Sequence, residues 1–168
     1  MSTGQQPTSH ILRPRTIQDL RNLEGMELGP SQWHEITQQR ITAFAVLTGD
    51  EQWIHVDAER ADVSEFGSTI AHGLYSLARG PAFLEEFLAF DGFAHALNYG
   101  YEKVRFPAPV PVNSRIRMRA IILAVNEDGN RAANVVTQQI FEREGSQKPI
   151  CVAQSVGRFT EYSSGDPA

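Results

Sequence analysis

The stretch that decides the fold runs from Thr69 to Phe90 and reads TIAHGLYSLARGPAFLEEFLAF. Its apolar residues recur at helical spacing and form one stripe, which consists of Ile70, Leu74, Leu77, Leu84 and Leu88. Ser68 or Thr69 can serve as the N-cap, so the pattern predicts one long apolar helix. A proline inside a helix removes a backbone donor and crowds the preceding turn. We therefore expect a kink or break at Gly80-Pro81.

Downstream of this helix the apolar spacing changes from the helical period to alternation, which is typical of strands. Residues 94–106 are predicted to form a strand that ends in a proline-rich, extended break. Residues 114–125 alternate most clearly, with one apolar face made of Ile116, Met118, Ala120 and Ile122. A turn at 126–130 predicts a hairpin into a strand over 132–141, and a last strand is expected over 149–161.

Upstream of the long helix the sequence predicts three shorter helices, over 16–23, 37–47 and 58–63. Thr37 and Asp57 have the side chains of N-caps, and Gly49 is a suitable residue to end the second helix. Residues 50–55 are therefore predicted to form a loop between two helices.

Helices followed by an antiparallel meander indicate the α+β class. We expect a hot-dog fold, in which a curved antiparallel sheet wraps around the long central helix. Residues 11–162 are predicted to form a single domain, with flexible tails at 1–10 and 163–168. Because a meander leaves its sheet edges open, a homodimer that pairs two edges is expected.

Composition narrows the classes of function. The net charge of -5 and the sequence pI of about 5.5 argue against general nucleic-acid binding. A single cysteine, Cys151, cannot form an intrachain disulfide or a cysteine-cluster metal site, and we expect it to be buried. The sequence shows no signal peptide and no apolar run long enough to span a membrane, so a soluble cytoplasmic protein is expected. The histidines lack metal-ligand spacing, and we expect neither a metal nor a cofactor.

Two residues of the predicted loop, Asp50 and His55, are candidates for acid–base chemistry. An imidazole near neutrality can take or give a proton, and a carboxylate beside it can orient the ring or share a water. The alternative is structural, with Asp50 capping the loop and His55 packing in the interior. On spacing alone the structural alternative is favoured.

Gly73 lies in the predicted first turn of the long helix, where backbone amides lack partners within the helix. Such an amide can donate to a carbonyl oxygen that gains negative charge. Tight helix packing explains a glycine here equally well. His72 adjoins Gly73, but a lone histidine at a helix start is more often structural, and no role is assigned to it.

Basic residues after the helix are candidates for binding the phosphates of an acyl carrier. They are Lys103, Arg105 and Arg115, with Arg117 and Arg119 further along the same strand. Arginines that alternate along one strand face are, however, more often a solvated face or part of an interface.

The run FAVLTGDEQWIHVDAERADVSEFGSTIAHG resembles the MaoC-like dehydratases, also called R-specific enoyl-CoA hydratases. Those proteins share an aspartate, an Asn-Pro insert, Ile/Leu-His and a later FG..IAHG. The D-x-Q-W-I-H variant, together with NYGYEKVRFPAPVPVNSRIR, is similar to the branch often labelled nodulation-protein-N-like. The resemblance extends from about residue 36 to residue 159.

The resemblance implies that Asp50 and His55 are the catalytic dyad and that the Gly73 amide is an oxyanion-hole donor. The chain departs from the family pattern at Gln52 and Trp53, where Asn and Pro are usual. Gln52 keeps an amide on a longer stem that is expected to position water or substrate, and Trp53 is expected to narrow or floor the acyl pocket.

The activity implied by the resemblance is reversible syn addition of water to a trans-2-enoyl thioester, giving the (R)-3-hydroxyacyl thioester. The substrate is carried by coenzyme A or by acyl carrier protein. Two alternatives stay open at this point, because fold alone does not fix chemistry. One is an acyl-thioester hydrolase, and the other is a non-catalytic acyl-binding module.

Overall fold

The computed structural model describes residues 11–129 and 131–163. The predicted tails at 1–10 and 163–168 lie outside the described residues, apart from Ser163. The helices are α1 (Ile17–Arg21), α2 (Gln38–Thr48), α3 (Trp53–Val56), α4 (Ala58–Asp62), α5 (Gly73–Ala78) and α6 (Gly80–Glu85). The strands are β1 (Glu27–Leu28), β2 (His34–Glu35), β3 (Ile70–Ala71), β4 (His95–Arg105), β5 (Val110–Pro111), β6 (Arg115–Glu127), β7 (Ala132–Arg143) and β8 (Cys151–Thr160). No helix of the described ranges is both long enough and apolar enough to cross a membrane.

The main sheet is antiparallel, with the strand order β1-β6-β7-β8-β4, and β2 also pairs with β6. Strands β6, β7 and β8 form the predicted meander. The prediction is wrong for β4, which pairs with β8 instead of its nearest successor in the chain. The proline-rich connection explains the difference, because it forms no tight hairpin and places β5 beside β3.

The inner face of β6 is as predicted, with Ile116, Met118, Ala120 and Ile122 fully buried. They share one hydrophobic core with Phe83, Leu84, Phe87 and Leu88, which belong to or follow α6. Cys151 is also buried there, and burial raises the pKa of its thiol to about 12. The sheet therefore wraps around the helical segment, as the hot-dog prediction requires.

The predicted long helix is shorter at both ends, because α5 begins at Gly73 and α6 ends at Glu85, and it is broken in the middle. Ile70 and Ala71 form β3 instead of a first helical turn, and His72 occupies the N-cap position in place of Ser68 or Thr69. Leu74 is 60% exposed, so it does not belong to the buried stripe. The predicted break is confirmed between α5 and α6. Pro81 lies in the first turn of α6, where the amide that it lacks would have no helical partner.

The shorter helices begin and end as their capping residues predict. The hydroxyl of Thr37 accepts from the Arg40 amide, the carboxylate of Asp57 accepts from the Arg60 amide, and Gly49 has a left-handed φ of 75°. The predicted loop at 50–55 is wrong in its second half, because α3 begins at Trp53. A helix of four residues is too short to show an apolar period. His55 therefore lies on a helical turn.

Candidate active site

His55 is held by a backbone carbonyl from a different element. Its Nδ1 lies 2.7 Å from the carbonyl oxygen of Ile70, and the ring is buried. A carbonyl oxygen only accepts, so Nδ1 carries the hydrogen. In the neutral ring the lone pair is then on Nε2, the nitrogen that this bond leaves available.

A glutamine side chain fixes both partners of that bond. The Gln38 Nε2 donates to the His55 carbonyl at 2.8 Å, and its Oε1 accepts from the Thr69 hydroxyl at 2.5 Å. Thr69 directly precedes Ile70, so one amide at the start of α2 connects the catalytic candidate to the strand that orients it.

His72, to which the sequence assigned no role, lies in the centre of the cluster. Its ring is 4% exposed and stacks on the His55 ring, with centroids 3.6 Å apart. Its Nε2 donates to the backbone carbonyl of Asp50 at 2.8 Å and lies 4.0 Å from the Asp50 carboxylate. Its Nδ1 is buried without a hydrogen-bond partner among the described residues. In the sequence, only the position of His72 beside Gly73 pointed to a role. Its contacts with His55 and Asp50 join residues that are distant in the chain.

Asp50 provides the one carboxylate of the cluster, and this carboxylate is exposed. It directly follows Gly49, and its side chain is 56% exposed, so water can reach it. Potential ligand atoms of Asp50, His55 and His72 lie within 4.8 Å of one another. The structure thus brings the predicted pair together, and this trio is also where a metal ion would find ligands.

The environment of His55 favours its neutral form. Burial lowers the pKa of His55 most strongly, and the neighbouring His72 lowers it further. The hydrogen bond to Ile70 and the Asp50 carboxylate oppose this shift, but the pKa of His55 remains below its usual value. A neutral imidazole with a free Nε2 lone pair is suited to accept a proton at neutral pH.

Gly73 is the first residue of α5, next to the cluster. A Cβ at this position would lie 2.8 Å from the ring of Phe106, which is too close. The packing alternative therefore holds for this glycine. The same geometry keeps a first-turn amide, the kind of donor that lacks a helical partner, beside His72.

Residues 19–144 match the family described as MaoC like domain. The chain belongs to the MaoC-like family. It is 45% identical over 144 residues to 3-hydroxyacyl-thioester dehydratase Z of Mycobacterium tuberculosis, which covers 86% of this chain and 95% of that protein. It is 35% identical over 145 residues to nodulation protein N of Rhizobium leguminosarum, covering 82% and 87%. The R-hydratase PhaJ1 of Pseudomonas aeruginosa has the same hot-dog fold, with a TM-score of 0.68, 19% identity and coverage of 92% and 95%.

The two residues that depart from the MaoC-like pattern lie at the start of α3. Gln52 is exposed at the N-cap position, where its backbone carbonyl accepts from the His55 amide. The Trp53 ring is half-buried and lies 4.3 Å from the guanidinium carbon of Arg60. Both residues adjoin the cluster in sequence, and their predicted roles in positioning water or substrate stay predictions.

The three basic candidates differ in their surroundings. Arg115 forms a bidentate ion pair with Glu144, which neutralises its charge and agrees with the solvated-face alternative. Lys103 and Arg105 are exposed on β4. Arg105 immediately precedes Phe106, the residue that touches Gly73. Both side chains are accessible, and phosphate binding by Lys103 and Arg105 stays a prediction.

The hydrogen bonds of the cluster predict opposite tautomers for its two histidines. His55 should carry its hydrogen on Nδ1 and His72 on Nε2, because each of these nitrogens donates to a carbonyl. Nitrogen-15 NMR of histidine-labelled protein above pH 7 measures this directly, with His55→Gln and His72→Gln as assignment variants. The reverse pattern for either ring would contradict the geometry.

Proposed function

We propose that this protein is a hydro-lyase that adds water reversibly to trans-2-enoyl thioesters and yields (R)-3-hydroxyacyl thioesters. The observation that carries the proposal is the buried His55 ring, which bonds the Ile70 carbonyl through Nδ1 and so keeps Nε2 as its proton acceptor, beside the water-accessible Asp50 carboxylate. The extent of identity to a 3-hydroxyacyl-thioester dehydratase, over nearly the full length of both chains, supports the same reaction class.

The chemistry follows from the two acceptors of the cluster. The Asp50 carboxylate accepts one hydrogen of a water, and His55 Nε2 accepts the other. As the water oxygen bonds to C3 of the enoyl group, its proton moves to Nε2 and the electrons of the double bond shift toward the carbonyl oxygen. The imidazolium then returns this proton to C2 on the same face. The sum is addition of one water across the double bond.

The carbonyl oxygen gains negative charge during this step, and the Gly73 amide is its proposed donor. A preorganised donor of this kind is typically worth about 100- to 1000-fold in rate. An alanine at position 73 would clash with Phe106, so loss of activity in that variant would not separate packing from catalysis.

The acyl carrier is coenzyme A or acyl carrier protein, and we propose Lys103 and Arg105 as its phosphate contacts. Arg115, already paired with Glu144, would have to exchange partners to contribute. Gln52 and Trp53 are proposed to position water and acyl chain at the entrance beside α3. No further cofactor enters this scheme, and the substrates are consistent with a cytoplasmic location.

Removal of either member of the dyad should nearly abolish hydration. Asp50→Asn and His55→Gln should each lower kcat/KM for crotonyl-CoA by about 100-fold or more, because each removes a proton acceptor. Loss of enoyl absorbance measures hydration, chiral analysis identifies the product, and a thiol reagent reports hydrolysis. Glu51→Gln, which removes the same charge one residue away, is the control. Near-normal turnover in both variants, or thiol release by the wild type, would refute the proposal.

The pH dependence should reflect the lowered pKa of His55. The rate constant kcat/KM requires the neutral ring, and activity is lost only as pH falls through the pKa of the folded enzyme. Burial and His72 lower that pKa and Asp50 raises it, with a net decrease, so the acid limb should have its midpoint below 6.5. A midpoint above 6.5 would contradict the assignment of His55 as the proton acceptor.

We further infer that residues 11–162 act as a single domain that forms a homodimer through β4. This strand is last in the sheet order and pairs only with β8 among the described strands. Its Leu97 and Tyr99 are 59% and 68% exposed, and α5 presents the exposed Leu74. Pairing two copies of β4 would satisfy the open edge and cover these side chains.

Sedimentation at micromolar concentration should give about twice the chain mass of 18.7 kDa. Tyr99→Glu should shift the protein toward the monomer, because it places a charge at the proposed contact. Leu123→Glu makes a comparable change on β6, at another exposed position, and should leave the dimer intact. A monomeric wild type, or a Tyr99→Glu variant that stays dimeric, would contradict this interface.

A further inference from the structure

A cavity of about 120 Å³ lies between α6 and the inner face of β7, β8 and β4. Much of its wall is apolar, with contributions from Leu20, Leu84, Leu88, Val135 and Phe159. Its sheet side, in contrast, carries three buried polar side chains, Thr137, Gln139 and Ser155. A hydrophobic cavity with a few convergent polar groups is the usual form of a small-molecule site.

The polar side chains interrupt an otherwise apolar face. Thr137 and Gln139 lie on β7 and point to the same face as Val135 and Phe141, which belong to the core. Thr137 is the register partner of Ser155 on β8, so these two hydroxyl groups lie side by side. The polar floor of the cavity, made of Thr137, Gln139 and Ser155, is thus a contiguous patch in the middle of a buried surface.

Gln139 is the member of this patch whose side chain is not satisfied among the described residues, whereas the Ser155 hydroxyl donates to the Thr137 carbonyl at 3.4 Å. The Gln139 side chain is 3% exposed, and its Oε1 has no hydrogen-bond partner among the described residues. Burying an amide oxygen without a hydrogen-bond partner is unfavourable. The position would be more stable with an apolar residue unless something in the cavity binds the amide.

A second unpartnered group lies on α5, between Gly73 and the cavity-lining Pro81 in the chain. Ser76 follows Gly73 by three residues on α5, is fully buried, and its hydroxyl has no partner among the described residues. Gly80, four residues further, packs against Gln139, and a Cβ there would lie 2.9 Å from Oε1. Two polar atoms without partners among the described residues are therefore associated with the helical segment, the Ser76 hydroxyl on α5 and the Gln139 Oε1 that faces Gly80.

We propose that this cavity receives the distal part of the acyl chain and that its polar floor selects chains bearing a hydroxyl group. The inference rests on the proposed function and specifies its substrate class. A hydroxyl both donates and accepts, so it satisfies the Gln139 amide in either orientation. The apolar wall accommodates the methylene groups that precede the hydroxyl.

The length of the helical segment gives the length of acyl chain that would reach the polar floor. Pro81, which lines the cavity, follows Gly73 by eight residues, and Arg79 between the two helices keeps right-handed helical dihedral angles. At 1.5 Å per helical residue this is about 12 Å, or about ten bonds of an extended chain. Chains near ten carbons should therefore place a terminal hydroxyl at the polar floor, whereas a crotonyl group is too short to reach it.

The test compares trans-2-enoyl-CoAs of six, eight, ten and twelve carbons with their terminally hydroxylated counterparts. For the best-fitting length, the wild type should prefer the hydroxylated substrate about tenfold in kcat/KM, the value of one buried hydrogen bond. Gln139→Leu should abolish this preference by lowering kcat/KM for the hydroxylated chain to the value for the plain chain. Gln138→Leu makes the same change on the opposite face of β7 and should keep the preference.

Thermal unfolding checks that both variants fold. Gln139→Leu should be at least as stable as the wild type because it removes a buried amide oxygen that has no partner among the described residues. Equal turnover of hydroxylated and plain chains at all four lengths, or a preference that survives Gln139→Leu, would overturn the inference.

A binding experiment tests the cavity independently of the proposed hydratase activity. If crotonyl-CoA is not hydrated, calorimetric binding of saturated decanoyl-CoA and 10-hydroxydecanoyl-CoA, with homologues of the other lengths, gives the same comparison without turnover. Tighter binding of a hydroxylated chain that Gln139→Leu removes would support the cavity assignment alone. Equal binding would overturn it.

Discussion

The site depends on one hydrogen bond, from His55 Nδ1 to the Ile70 carbonyl. It fixes the tautomer of the ring and leaves Nε2 as the nitrogen that can accept a proton. The carbonyl has this orientation because Ile70 is in β3, and β3 is held by its pairing with β5. The proline-rich connection between the long strands therefore contributes to the chemistry, since it supplies β5. The Gln38 amide strengthens the arrangement by bonding to both sides of it.

The cluster combines two buried histidines with one solvent-exposed carboxylate. His55 and His72 are stacked and buried, and burial lowers the pKa of His55, so its protonated form is disfavoured. Asp50, in contrast, is exposed enough for water to arrive. Such a gradient of burial across a few ångströms lets one group stay neutral while its neighbour stays solvated, and a proton-transfer site needs both.

Sequence patterns were reliable where the deciding contact is local. The caps at Thr37 and Asp57, the end of α2 at Gly49 and the inner face of β6 were all predicted, because each depends on residues close in the chain. The helix break beside Pro81 belongs to the same class. The errors at Ile70, Leu74 and β4 share a different cause. Ile70 continues a helical apolar pattern, but pairing with Pro111, about forty residues away, makes it a strand.

The sequence by itself determined the hot-dog fold, the MaoC-like family and the residues Asp50, His55 and Gly73 as candidates. These follow from apolar period, capping chemistry and motif, which are properties of short stretches. Only the tertiary structure decided that His72 joins the cluster, that Arg115 is already paired and that Gln139 is buried without a partner. Each of these depends on residues distant in sequence that meet across packed elements, and no local pattern encodes such meetings.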